Sequence, residues 1–270
     1  MKHAHVVSPI LIGIVVAIGC GSGKPQDASA TTKSIEQHTK VPIQLAEAPA
    51  QAQPATSGGS ASIRGTVRFE GTAPTPEKIK MDADPVCQQQ HTTPVMSGEV
   101  VVNSNGTLQN VFVYVKEGAK GPFPTPTAAV SLNQSGCWYS PHVFGIPVNQ
   151  SLDIVNSDAT LHNINAKPTI NQPFNVAQPV KGMKTTKKFA KSEVMVRFKC
   201  NVHPWMTAYG GVLEHPFFSV TSTDGSFTIS GLPAGTYTIE AWHEKYGTQT
   251  QTVSVADGET KSVEFAFKAP

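Results

Sequence analysis

From residue 61 onward the sequence is built of short runs in which apolar and polar residues alternate, each run cut by Gly, Pro, Asn or Asp. Ile63-Arg-Gly-Thr-Val-Arg-Phe69, Val111-Phe-Val-Tyr-Val115, Leu152-Asp-Ile-Val155 and Val194-Met-Val-Arg-Phe198 are examples. A period of two places one set of side chains on a single face of an extended chain. Runs this short, punctuated this often, predict sheets packed on sheets. No amphipathic helix of useful length interrupts them, so the expected fold class is all-β, built as sandwiches. Residues 168–192 fit neither period and read as an irregular loop or a turn of helix.

Residues 1–60 follow another plan. A short basic start, Met1-Lys2-His3, leads into an apolar run from Ile10 to Ile18, and small Gly19 precedes Cys20. The run is too short to span a bilayer with margin and has the order of an export leader over residues 1–20. Ala17-Ile18-Gly19-Cys20 resembles a bacterial lipobox, with Ala17 where that pattern prefers Leu. The resemblance implies that Cys20 becomes the lipidated first residue of a membrane-anchored protein in the periplasm or at the cell surface; an ordinary cleaved signal peptide is the plainer alternative. Residues 21–60 are rich in Gly, Ser, Ala, Gln, Pro and Thr without apolar periodicity, and read as a disordered tether. As a flexible coil, such a tether spans about 35 Å. The formal net charge of +2 selects no partner, and no Lys/Arg block interleaved with aromatics points to nucleic acid.

The chemistry concentrates in Cys200-Asn-Val-His-Pro-Trp-Met206, which spaces Cys, His and Met as C-x2-H-x2-M at the end of a strand. A tight loop leaving a strand turns all three side chains toward one point. His162, just after the strand Leu152 to Val155, supplies a second imidazole. Two imidazoles and a thiolate with a thioether as weak axial ligand suit both Cu(I) and Cu(II). Zinc prefers Cys, His and carboxylate and gains little from Met. A binuclear copper centre wants a second Cys in the loop, and haem attachment wants Cys-x-x-Cys-His; neither is present.

These residues resemble the cupredoxins, and the short Cys–His–Met loop is similar to that of the amicyanins. The likeness runs from about Val130 to Leu213 and implies a Greek-key β-sandwich, assigned to residues 119–215, holding one copper per chain on His162, Cys200, His203 and Met206. It further implies that Asn163 bonds to the Cys200 loop and holds it, that the ring edge of His203 reaches the surface, and that Pro204 and Trp205 form an apolar patch for a transient redox protein partner. Trp205 has a plainer role, packing against the sandwich.

The C-terminal stretch, residues 216–270, has its own marks: the turn Asp224-Gly225, the cluster Gly231-Leu-Pro-Ala-Gly235, and the alternating run Thr236 to Trp242. They resemble the carboxypeptidase regulatory-like domain, a small Ig-like sandwich without catalysis of its own. Gly65-Thr-Val67 fits an early strand of that family, so residues 61–118 read as opening strands of the same sandwich with the copper domain inserted; two consecutive domains are the simpler arrangement.

With Cys20 assigned to lipid and Cys200 to metal, Cys87 and Cys137 remain, in an oxidising compartment where thiols pair. A Cys87–Cys137 disulfide is expected; the alternative is a second metal site in Cys87-Gln-Gln-Gln-His91. His142, His215 and His243 each read as packing residues or as members of a second site. The functional expectation is a non-enzymatic electron carrier without a small-molecule substrate. Copper storage or delivery, mononuclear copper catalysis, and a surface binding module with the copper domain as spacer are the rivals.

Overall fold

The computed structural model describes residues 58–269; the leader, Cys20 and almost all of the tether lie outside the described residues. The chain is all-β: sixteen strands in four sheets, with a single five-residue helix, α1 (Pro85–Gln89), among the described residues. The sheets pair into two sandwiches.

In one sheet of the terminal sandwich, β1 (Ala61–Glu70) lies between β13 (Ser226–Leu232), antiparallel, and β16 (Thr260–Lys268), parallel. The facing sheet runs β12 (Phe218–Val220), β2 (Phe112–Glu117), β14 (Gly235–His243) and β15 (Gly247–Val255). The alternation in β1 drives this burial, with Ile63, Val67 and Phe69 inward and Arg64, Arg68 and Glu70 exposed. Gly65 is required by proximity, because a Cβ there would stand 1.8 Å from the Val263 carbonyl oxygen. Ile63, Val113, Val115, Ile239 and Phe265 meet in the core.

All the strands of the central sandwich come from the chain between β2 and β12. Its larger sheet is β5 (Val143–Pro147), β11 (Thr207–Leu213), β10 (Glu193–Lys199), β7 (His162–Lys167) and β8 (Phe174–Gln178). Its smaller sheet is β4 (Trp138–Ser140), β3 (Val130–Ser135), β6 (Leu152–Asn156) and β9 (Lys184–Lys187). Parallel pairs β3–β6 and β5–β11 arise because the chain crosses between sheets. The Phe198 ring anchors the core, with the Phe144, Phe189 and Phe174 rings 5.6, 6.1 and 6.4 Å away; such pairs add roughly 0.5–1.5 kcal/mol each beyond burial. β8 and β9 replace the loop or helical turn expected over residues 168–192. Both alternate half-buried with exposed residues; Phe174 and Val176 of β8 pack against the core, but β9 is all Lys and Thr and has no apolar residue to mark its inward face.

A third apolar cluster joins the sandwiches: Phe112, Tyr114 and Phe218 from the terminal one meet Val143 and Leu213 of the central one. The rings enter because β5 and β11 carry glycines there. A Cβ on Gly145 would stand 2.2 Å from the Phe218 ring, and one on Gly211 would stand 2.5 Å from Phe112.

Between β1 and β2 the chain leaves the terminal sandwich and lies across the central one. Met81 and Cys87 enter the central core, with Ile79 and Val95 packed against it. Asp84 caps α1, accepting the Val86 and Cys87 amides, and Pro85 opens the helix, where its missing N–H costs nothing. Cys87 is disulfide-bonded to Cys137, which fastens this segment to the β3–β4 hairpin.

Candidate metal centre

Two loops at one end of the larger sheet build the site. The first links β6 to β7 and is wound around buried Asn156, which accepts the Asp158 amide and donates to Thr160 O and Gln178 O. It delivers His162 to the start of β7, fully buried. The second runs from Cys200 to Met206 between β10 and β11. It closes through Cys200 N–H to Met206 O at 3.1 Å and Met206 N–H to His203 O at 3.0 Å. The His203 amide donates to Cys200 Sγ at 3.4 Å.

His162, Cys200 and His203 converge with their ligand atoms all within 4.8 Å of one another. The two Nδ1 atoms are 3.0 Å apart, and Cys200 Sγ is 3.8 Å from His203 Nδ1. Met206, in the same loop, is fully buried in the cluster that contains Cys200. Asn163 Oδ1 accepts the Asn201 amide at 3.3 Å, while its Nδ2 donates to Asn175 Oδ1 and Val176 O. Asn163 therefore ties the Cys200 loop to β8.

The outer nitrogens of both imidazoles face carboxylates. His162 Nε2 donates to Asp158 Oδ2 at 2.8 Å and His203 Nε2 to Asp84 Oδ2 at 2.9 Å. With Nε2 engaged in this way, Nδ1 is the nitrogen each ring leaves facing Cys200. Burial resists charge on Cys200, but bonds from His162, His203 and the backbone amides prevail and draw its thiol down to about 6. Burial likewise works against charging His162, yet Asp158 and Cys200 lift it to about 9. His203 is raised against its burial by Cys200 and Asp84. Burial would raise Asp84, but His203, Thr160 and the two capping amides hold it at about 2. Asp158 is lowered against burial by His162 and the amides of Cys137 and Gly136. A thiolate and two carboxylates gathered about two imidazoles form a set that a cation at the centre would stabilise. Soft sulfur with imidazole fits copper.

The ring edge of His203 does not reach the surface: the residue is 2 % exposed. The segment between β1 and β2 covers it, bringing Asp84 onto Nε2 and Cys87 Sγ to 3.5 Å from the same nitrogen. Trp205 lies beside His203, ring centroids 5.2 Å apart, and its Nε1–H donates to Cys137 O at 3.1 Å. It is half-buried and Pro204 is exposed. Leu161 and Val202, next to His162 and His203 in sequence, are exposed.

The disulfide removes the alternative metal site at Cys87, and His91 instead bonds to Gly136 O at 2.7 Å. The other metal-competent groupings among the described residues, Asp84-Cys87-His203 and Cys137-Asp158-His162, belong to this same centre and use the disulfide cysteines. His142, His215 and His243 belong to none of the metal-competent groupings among the described residues. His142 joins the sandwiches, with Nδ1 on Thr207 O at 3.0 Å and Nε2 on the Glu244 carboxylate. His215 and His243 accept backbone amides at Nδ1 and stack on Phe217 and Tyr246. Sequence reasoning passed over Asp84 and Asp158. The Asp84-Pro85 helix start and the position of Asp158 four residues before His162 were the available signals.

The family model for the carboxypeptidase regulatory-like domain matches residues 214–268, which carry β12 to β16. No curated protein sequence matches the chain. Similar solved structures include a purple cupredoxin from Nitrosopumilus maritimus, 22 % identical over 32 % of this chain and 99 % of that one, TM-score 0.27. A variant of amicyanin in its oxidised state is 17 % identical over 32 % of this chain and 82 % of that one, TM-score 0.29. A Cu-containing nitrite reductase from Thermus scotoductus SA-01 is 24 % identical over 38 % of this chain and 25 % of that one, TM-score 0.28.

Proposed function

We propose that the chain is an exported, lipid-anchored blue copper protein that carries single electrons, with one copper held by His162, Cys200, His203 and Met206. The observation that carries this reading is the convergence of two imidazole Nδ1 atoms and the buried Cys200 Sγ, with Met206 in the same loop. Bound there, copper supplies a one-electron Cu(I)/Cu(II) couple, with the sulfur ligands suited to Cu(I) and the imidazoles to either state.

The residues around it work to keep the ligands still. The loop hydrogen bonds fix Cys200 and Met206, Asn163 pins the loop to β8, and the carboxylates fix both imidazole rings. Small rearrangement between oxidation states is the condition for fast electron exchange. Four protein groups leave no open position for a substrate, which favours a carrier over an enzyme. The closed cover on His203 favours carrying electrons over delivering the ion. The transient redox partner would dock at the ligand-loop end, on exposed Leu161, Val202 and Pro204 with half-buried Trp205 beneath; such an interface is small. Cys20 would provide the anchor.

The test is to add Cu(II) to the purified protein and record the visible spectrum. An intense thiolate-to-copper band that Cys200→Ser abolishes is the expected outcome; a colourless complex or no uptake overturns the reading. Slow copper transfer to a chelator is expected of a carrier, and rapid release would instead indicate delivery.

A further inference from the structure

The two carboxylates behind the imidazoles are built into the fold. Asp158 is 3 % exposed; besides His162 Nε2 it accepts the Gly136 and Cys137 amides at 2.9 and 2.8 Å. Those amides point at it because the two-residue turn between β3 and β4 puts both Gly136 and Cys137 at positive φ, 64° and 58°. Asp84 is held as firmly. One oxygen caps α1 through the Val86 and Cys87 amides, and the other accepts the Thr160 hydroxyl at 2.8 Å and His203 Nε2. Neither side chain can swing away without abandoning several hydrogen bonds.

The two reach the centre from different parts of the molecule. Asp158 belongs to the β6–β7 loop of the central sandwich. Asp84 rides on the segment that leaves the terminal sandwich after β1 and is fastened by the Cys87–Cys137 disulfide. The imidazole expected at the surface thus donates to a carboxylate on the segment that covers the central sandwich.

We propose that Asp84 and Asp158 are positioning residues of the copper centre that bias it toward Cu(II), Asp84 making the segment between β1 and β2 part of the site. This inference rests on the copper reading above. An Nε2–H donated to a carboxylate makes Nδ1 the metal-facing atom and the ring a stronger donor. Electron-rich imidazoles and two fixed negative charges favour the doubly charged ion over the singly charged one.

Asp84→Asn is the informative substitution, because Asn caps a helix as well as Asp while an NH2 group in place of Oδ2 removes both the charge and the acceptor of His203 Nε2–H. Removing such a partner typically changes metal affinity about 10–100-fold. The expected result with the copper-loaded full chain is a coloured protein whose Cu(I) affinity has risen about tenfold relative to Cu(II). In a one-electron couple that is an upward shift of about 59 mV. Asp158→Asn should shift the potential in the same direction. If Asp84→Asn loses its near-UV circular dichroism, Asp84→Ser, which also caps, replaces it. Coloured, folded variants with the wild-type potential would overturn the proposal while leaving the copper reading intact. A wild-type chain without the thiolate band would remove the copper reading, and this inference with it.

Discussion

Cys87 Sγ lies 3.5 Å from His203 Nε2, so the disulfide that fastens the covering segment touches the imidazole it covers. The Cys87–Cys137 bond closes a loop across a sequence separation of 50 residues. Losing such a cross-link should cost roughly 2–4 kcal/mol of stability, read as a lower urea midpoint for Cys87→Ala/Cys137→Ala. The double variant should also let a chelator strip copper from the proposed centre faster, because Asp84 is no longer tethered over His203. Equal decay of the visible band in both proteins would show that the segment does not guard the site.

Acid stability should be set in part by His215 and His243. Burial is the first cause for both and lowers each to about 4; their Nδ1 atoms also accept backbone amides, as a neutral ring must. In the unfolded chain both titrate near the ordinary value of about 6.5. Their neutral form therefore supports the fold fully above pH 6.5. That support is lost as pH falls from there toward 4, with a slope of up to about 1.4 kcal/mol per pH unit for each ring. Urea midpoints measured from pH 7 to pH 4.5 should fall accordingly, and His243→Phe should flatten the curve by one proton. An unchanged slope in that variant would mean that other groups govern the acid limb.

The strands with clear alternation were readable because burial on one face and exposure on the other are both recorded in residue type, as in β1. The same rule fails for β9, whose Lys and Thr residues do not record its inward face, and β8 is only five residues long. In the candidate site, Cys200, His203 and Met206 were legible because one loop carries all three, and His162 because it follows an apolar strand. Asp84 was not, since its contact with His203 is made across 119 residues and depends on a segment whose path no local pattern dictates. That path also closes the surface expected around His203. Asp158 was local but unremarkable, because an Asp in a turn is more often a backbone acceptor, and here it is both that and a partner of His162.

The contact between the sandwiches should be sensitive to single methyl groups. β5 and β11 are paired in parallel with Gly145 opposite Gly211, and the missing side chains admit Phe218 and Phe112. Phe112 is fully buried and stacks on Phe218 with centroids 5.6 Å apart, so neither ring has free space to retreat. Gly145→Ala places a Cβ 2.2 Å from the Phe218 ring, and overpacking of this kind typically costs about 1–3 kcal/mol. The loss should appear as a lower thermal midpoint. Phe218→Leu in the same background should recover part of it, because the shorter side chain vacates the position the methyl needs. If Gly145→Ala is as stable as the wild type, the sandwiches are packed more loosely than these distances state. Recovery in the double variant would instead place the strain at this one pair of residues, since coupling of this size is confined to groups in contact.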